Sequence, residues 1–146
     1  MENSKPYPLV NKLFMAALML GLIVFLQSCA RKIAFQSSTV VPAAEGTVKL
    51  SKDNNSNYVI HMNLSNLAEP QRLQPARQTY VVWMESEQQR VKNIGQISTS
   101  AGILSKRLKA SFETVSSVKP TRIFITAEDD ATVQYPGLQV ITTDNF

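Results

Sequence analysis

Residues 46–146 carry the alternation of apolar and polar positions that is typical of β-strands. Between Tyr58 and Leu64 every second residue is apolar, which is the period of a strand with one buried face. The segment Thr79–Met84 is apolar at both parities, and this favours a central strand covered on both faces. Turn residues separate such segments throughout the region. We therefore expect strands at Gly46–Leu50, Tyr58–Leu64, Thr79–Met84, Val91–Ile97, Leu108–Val115, Thr121–Glu128 and Leu138–Thr143.

This pattern predicts an all-β fold, an antiparallel sandwich of about seven strands. The segment Leu104–Lys106 is left open between a short helical turn and an extended piece. Gly95 inside a strand indicates a bulge or a close backbone approach. Pro136–Gly137 predicts a turn in which the glycine supplies a positive φ. We expect Trp83 to fill the core of the sandwich, and the alternative is an exposed sugar-binding platform.

The N-terminus has the organisation of a secretory signal. Residues 1–12 are polar and contain two lysines, and Leu13–Leu26 is a run of 14 residues that is apolar apart from one glycine. As a helix this run is about 21 Å long, which is short for the roughly 30 Å of a bilayer core. The pattern therefore predicts a cleaved signal helix rather than a permanent membrane anchor.

The sequence Leu26-Gln27-Ser28-Cys29 resembles the lipobox of bacterial lipoproteins. The resemblance implies cleavage between Ser28 and Cys29, a diacylglycerol on the Cys29 thiol and a fatty acid such as palmitate on the new amine. Cys29 is the one cysteine of the chain and stands directly after the signal pattern. Two or three acyl chains hold a protein stably on a membrane.

Three segments follow from this division. Residues 1–28 are the predicted lipoprotein signal peptide, residues 29–45 a flexible tether rich in Ser, Thr, Pro and Ala, and residues 46–146 the β-sandwich. No acidic residue follows Cys29 before Glu45. Among lipoproteins this absence favours the outer membrane, with the domain facing the periplasm. Arg31 and Lys32 add attraction to anionic lipid or serve only as a solvated part of the tether.

Composition argues against most catalytic and metal chemistry. One Cys and one His cannot build a disulfide framework, a Cys-rich zinc site or a copper site. His61, the one base available for a catalytic triad, is expected on the outer side of its strand. Glu128-Asp129-Asp130 is expected to be a solvated turn rather than a calcium loop. Glu85 and Glu87 share a strand face and are expected to be exposed rather than a glycosidase pair.

The charge pattern argues against nucleic acid as a partner. The net charge is +4, and no run of Lys and Arg exceeds two residues. Nucleic-acid-binding proteins usually cluster their cations and place aromatic residues among them. We therefore expect neither nucleic acid nor a cofactor as a partner, and no catalytic residues.

Several short segments resemble the extracytoplasmic C-terminal domain of anti-sigma-K factors. They are Leu67 with its Pro-containing loop, Tyr80-Val81-Val82-Trp83-Met84, Ile94-Gly95-Gln96-Ile97, Ile125-Thr126-Ala127-Glu128 and Tyr135-Pro136-Gly137. The resemblance implies an immunoglobulin-like sandwich outside the cytoplasmic membrane. Asp129-Asp130 stand where that family often has two glycines. Binding of a sigma factor belongs to a helical domain that the 12 residues before the apolar run cannot form.

Together these observations predict a non-catalytic envelope lipoprotein that acts as a binding or scaffold module. Its expected partners are the membrane, through the lipid anchor, and another envelope protein. The alternative is a sensor module of an envelope-stress or anti-sigma system whose signalling partner is encoded separately.

Overall fold

The computed structural model describes Lys12, Met15 and residues 31–97 and 108–146. Residues 31–97 and 108–146 form an antiparallel β-sandwich of two four-stranded sheets. The strands are β1 (Arg31–Ala34), β2 (Glu45–Lys52), β3 (Tyr58–Leu67), β4 (Thr79–Ser86), β5 (Val91–Ile97), β6 (Leu108–Ser116), β7 (Pro120–Glu128) and β8 (Leu138–Thr142). A 3₁₀-helix at Pro70–Arg72 interrupts the loop between β3 and β4. The all-β sandwich is confirmed, with eight strands where seven were expected.

The first sheet has the strand order β1-β2-β3-β6, and the second has the order β5-β4-β7-β8. Side chains from the inner faces of both sheets form the main core, because each inner face is apolar at every second position. Its most deeply buried members are Val48, Ile60, Met62, Tyr80, Val82, Ile123, Ile125 and Ala127. The expected alternation in β3 is therefore confirmed.

Strand β1 corrects the expected tether at residues 29–45. Arg31–Ala34 pairs with β2 in antiparallel register, and Val41 and Ala44 are buried in the core. This strand lies at a sheet edge and contributes little more than Ile33 to the core, so it shows no apolar alternation. The described sandwich thus includes Arg31–Ala34, and a fragment that starts at Gly46 lacks one strand.

One side of the sandwich is closed by the chain that leaves β1. Phe35 forms a bridge with Thr143, and the Gln36 N–H donates to the Thr142 carbonyl at 2.8 Å. The chain therefore crosses from the first sheet to the edge of the second. On the other side lie the edges of β5 and β6. The segment that connects them, with Leu104–Lys106, falls outside the described residues.

Antiparallel alternation gives the sandwich two distinct ends. The N-terminal end consists of the start of β1, the turns at 53–57, 87–90 and 117–119, and Phe146. Among the described residues, the far end consists of the loops at 35–44, 68–78 and 129–137. The start of β1 at Arg31 therefore lies at the N-terminal end.

Two glycines lie close to the side chains of other strands. Gly95 has φ +140° beside a register shift in the pairing of β4 with β5, and a Cβ there would lie 2.8 Å from the Phe112 ring. The bulge and the close approach are both confirmed. The positive φ expected at Gly137 is wrong. A Cβ at Gly137 would lie 2.7 Å from a carboxylate oxygen of Glu128, so the end of that side chain would have to shift.

Candidate functional site

Cys29 and Ser28, the predicted lipidation and cleavage positions, lie outside the described residues. The described part of the chain contains no helix that is both long enough and apolar enough to span a bilayer. What the structure adds is the position of the chain immediately afterwards, because β1 begins at Arg31 and is hydrogen-bonded to β2.

His61 lies on the outer face of the first sheet, as its strand parity predicts. It is register partner to Lys49 on one side and to Glu113 on the other. Its Nδ1 lies 3.1 Å from a carboxylate oxygen of Glu113, and both side chains are substantially exposed to solvent. The arrangement is a cross-strand row of charged and polar groups on a flat surface.

The three carboxylates of the acidic turn point to three different partners. Glu128 is buried and accepts the Gly137 N–H at 2.6 Å. Asp129 forms an ion pair with Arg77, and Asp130 accepts the backbone N–H of Thr132. That N–H bond, together with one from the Thr132 hydroxyl, holds the pKa of Asp130 below its usual value. Within residues 31–97 and 108–146 no three His, Cys, Asp or Glu side chains are grouped as metal ligands would be.

Glu85 and Glu87 are each held by a cation. The Arg122 guanidinium lies 2.7 Å from a carboxylate oxygen of Glu85, and the Lys119 ammonium lies 2.5 Å from one of Glu87. The Glu87 carboxylate raises the pKa of Lys119, first through this hydrogen bond and then through its charge. The ammonium of Lys119 therefore stays charged at neutral pH.

Trp83 is fully buried, as predicted, but on the outer face of the second sheet. Its ring stacks on Phe124, and its indole N–H donates to the Thr126 hydroxyl at 2.7 Å. With Val81 and Phe124 it forms an outer cluster separate from the main core. The expected place between the sheets is thus wrong, because inward positions on β4 belong to residues of the other parity.

The loop between β7 and β8 covers this outer cluster. Val133 packs against it, and the Asn93 side-chain amide donates to the carbonyls of Ala131 and Val133 at 2.9 and 3.0 Å. Trp83 is consequently part of the folded structure and presents no platform for a sugar ring.

The most chemically distinctive surface is a pocket of about 430 Å³ at the N-terminal end. Ends of β1, β2, β3 and β7 converge there with the last residue of the chain. We call it the cationic pocket, and it is lined by Arg31, Leu50, Ser51, Lys52, Tyr58, Lys119, Pro120 and Phe146. Three cations and two aromatic rings thus share one concave surface.

Two of the cations in the cationic pocket lie over aromatic rings. The Arg31 guanidinium is 5.9 Å from the centroid of the Phe146 ring, and the Lys52 ammonium is 5.2 Å from that of Tyr58. Such contacts orient a cation while leaving its hydrogen-bond donors free to reach an anion. Chemically, the pocket can bind a negatively charged group.

Two other depressions differ in character. A shallow polar groove of about 560 Å³ runs over the far half of the first sheet and includes Thr47, Asn63 and Ser111. A smaller cleft lies between the edges of β5 and β6, close to the exposed Val115 and Val118. Neither concentrates charge of one sign.

Sequence reasoning noted the charge of Arg31 but missed the pocket around it. Lys52, Lys119 and Phe146 are far from Arg31 in the chain, and no short motif joins them. The sequence signal that could have indicated the pocket is the alternating direction of successive strands. In an antiparallel sandwich, Lys52 at the end of β2 and Lys119 just before β7 face the same end as Arg31. The segment that follows β8 and contains Phe146 leaves from the same end.

Comparisons of the chain with protein-family models, with curated proteins and with solved structures found no match. The resemblance to anti-sigma-K extracytoplasmic domains therefore stays a prediction.

Proposed function

We propose that this protein is a non-catalytic lipoprotein of the cell envelope, anchored through Cys29, whose sandwich binds or scaffolds another envelope protein. We place it on the outer membrane, facing the periplasm. The observation that carries the proposal is the start of β1 at Arg31, two residues after Cys29. An anchor at Cys29 would hold the folded domain directly, without a tether.

The distance involved is short. Two residue steps of extended chain span about 7 Å, so the N-terminal end would lie within about 7 Å of the acylated residue. The far end would then point away from the membrane, and the outer face of the first sheet would face sideways, parallel to the membrane. These are the surfaces that a soluble or membrane-bound partner can reach.

One residue on the far end favours a protein partner. Tyr135 is 83% exposed, in the loop between β7 and β8 that is pinned to the outer face by Asn93. A tyrosine displayed on a fixed loop offers a large contact area at low entropic cost, and tyrosine is enriched in protein interfaces. The far end therefore supports a binding role.

The resemblance noted in the sequence supports a second candidate, a sensor module with a separately encoded signalling partner. Both candidates place a partner on the same exposed surfaces. They differ in the identity of that partner. In the first candidate it is a structural envelope protein, and in the second it is a regulatory protein.

Photocrosslinking in intact cells tests the proposal. A photoreactive amino acid at position 135 should give an adduct of one defined mass, and the bound protein is identified from that adduct. The same amino acid at Asn55, in the turn at the N-terminal end, is the matched control and should give no protein adduct. Cys29→Ser should remove the processed protein from the membrane fraction. Equal adducts at both positions, or membrane attachment that survives Cys29→Ser with normal processing, would contradict the proposal.

A further inference from the structure

We infer that the cationic pocket binds the phosphate of an anionic phospholipid headgroup in the membrane that carries the anchor. The inference rests on the proposed anchor at Cys29 and adds a second, non-covalent attachment. It assigns a ligand class to Arg31, Lys52 and Lys119, which line the pocket from three separate parts of the chain.

The charge balance at this end favours an anion. Lys119 is paired with Glu87, but within residues 31–97 and 108–146 neither Arg31 nor Lys52 forms an ion pair. The nearby Asp53 carboxylate accepts the backbone N–H groups of Asn55 and Asn57 and the Asn57 side-chain amide. The Asp53 carboxylate is thus directed into its own loop. The guanidinium of Arg31 and the ammonium of Lys52 remain as donors for a phosphate.

The rest of the lining suits a lipid rather than a bare ion. Leu50, Pro120 and the rings of Tyr58 and Phe146 form apolar walls around the cations. A phosphate in a lipid headgroup is bonded to diacylglycerol, whose carbon atoms can pack against such walls. Aromatic residues with one polar edge are also the residues that settle at the membrane–water interface.

Position decides between a lipid and a soluble phosphate compound. Arg31 follows Cys29 by two residues, so an acylated Cys29 would hold the mouth of the pocket at the level of the headgroups. Tethering turns binding of a headgroup into a local event at high effective concentration. A soluble phosphate compound would have to compete with the lipid headgroups that lie next to the pocket.

The consequence is a fixed orientation. One acylated residue alone leaves a domain free to swivel, whereas a lipid anchor combined with a cationic site is a two-signal attachment. Headgroup binding at the N-terminal end would orient the sandwich with its strands pointing away from the bilayer. The far end, with Tyr135, would then be presented to a partner in a constant direction.

Lysine labelling of the full protein tests the inference. Protein extracted from its own membrane is reconstituted into nanodiscs of phosphatidylcholine alone or of phosphatidylcholine with phosphatidylglycerol, and labelled with an amine-acetylating reagent. Labelling of Lys52 should slow by about five-fold or more with phosphatidylglycerol. Lys109, at the opposite end of β6 from the N-terminal end, is the internal control and should label equally in both. Equal labelling of Lys52 in both nanodiscs would overturn the inference.

A pair of neighbouring variants separates a site from diffuse attraction. Arg31 and Lys32 carry the same charge, but alternation along β1 points their side chains to opposite faces of the first sheet. Arg31→Gln should remove most of the protection of Lys52, by about five-fold. Lys32→Gln should leave it nearly intact. Equal losses in the two variants would show attraction to the membrane surface without a binding site, and would overturn the inference.

Two further measurements show which assumption is wrong if the predicted protection of Lys52 is not found. Millimolar glycerol phosphate added to the phosphatidylcholine nanodiscs should not protect Lys52, and full protection there would identify a soluble ligand instead. The intact mass of the same preparation reports on Cys29. Acylated Cys29 with unprotected Lys52 would overturn the headgroup site alone, whereas unmodified Cys29 would overturn the anchor on which it rests.

Discussion

The two sheets of this sandwich differ in which of their faces are buried. The first sheet buries only its inner face, and its outer face is a row of polar and charged residues that includes Lys49, His61 and Glu113. The second sheet buries both faces of its central strands, β4 and β7. Its outer face carries Trp83 and Phe124 beneath the loop between β7 and β8.

The difference teaches where variation in sequence is tolerated. On a one-sided sheet an outward position makes few contacts, so a substitution there changes little. On a two-sided sheet an outward position is as tightly packed as the core. The central strands of the second sheet therefore tolerate substitution least, whereas the outer face of the first sheet is accessible to solvent.

The largest expected effect comes from Trp83→Ala. Removal of a fully buried tryptophan leaves a cavity and should lower the free energy of unfolding by about 3–5 kcal/mol in a urea titration. His61→Ala, on the outer face of the first sheet, should change it by less than about 0.5 kcal/mol. Because Trp83 is the one tryptophan, its emission should also be blue-shifted and weakly quenched by iodide. Similar losses in the two variants would remove the distinction between the sheets.

Tyr80 tests the inner face of the second sheet through alkaline pH. Burial raises the pKa of its phenol to about 12, against about 10 in an unfolded chain. Below pH 10 the phenol is neutral in both states and stability is unaffected. Between about pH 10 and pH 12 only the unfolded state releases the proton, so stability should fall by up to about 1.4 kcal/mol per pH unit.

The measurement is urea unfolding at a series of pH values from 9 to about 11.5. Tyr80→Phe should remove the alkaline fall, at the cost of the hydrogen bond that the phenol donates to the Ala68 carbonyl. Tyr58→Phe, at the N-terminal end, should keep it. An alkaline fall that persists unchanged in Tyr80→Phe would contradict the burial of this phenol.

The smallest effect concerns the polar contact inside the outer cluster. Thr126→Val removes the acceptor of the Trp83 indole N–H and leaves a buried donor without its partner, which should cost about 1–3 kcal/mol. Thr47→Val makes the same change on the outer face of the first sheet and should cost less than about 0.5 kcal/mol. Thermal or urea unfolding of both variants checks this, and a neutral Thr126→Val would show that the indole finds another acceptor.

Sequence predicted the one-sided sheet better than the two-sided one. In β3 the alternation of apolar and polar residues specifies which side chains face inward, because only one set is apolar. In β4 both sets are apolar, so burial of Trp83 was predictable but its face was not. The cover over that face comes from a polar loop that carries no hydrophobic pattern.

The parts that sequence missed depend on contacts between distant segments. Strand β1 is recognisable only through its pairing with β2, since a short edge strand needs little apolar surface of its own. The Glu128 carboxylate lies beside Gly137 and accepts its N–H, a contact that no turn rule specifies. The cationic pocket likewise exists only once the strand ends are brought together.

The central claim is that an acylated Cys29 holds the sandwich directly on the membrane by its N-terminal end. The most direct test is the intact mass of the protein extracted from its native membrane, with fragmentation to locate any modification. The account predicts a chain that begins at Cys29 and carries diacylglycerol and a fatty acid on that residue. A chain that begins elsewhere, or one with an unmodified Cys29, would contradict it.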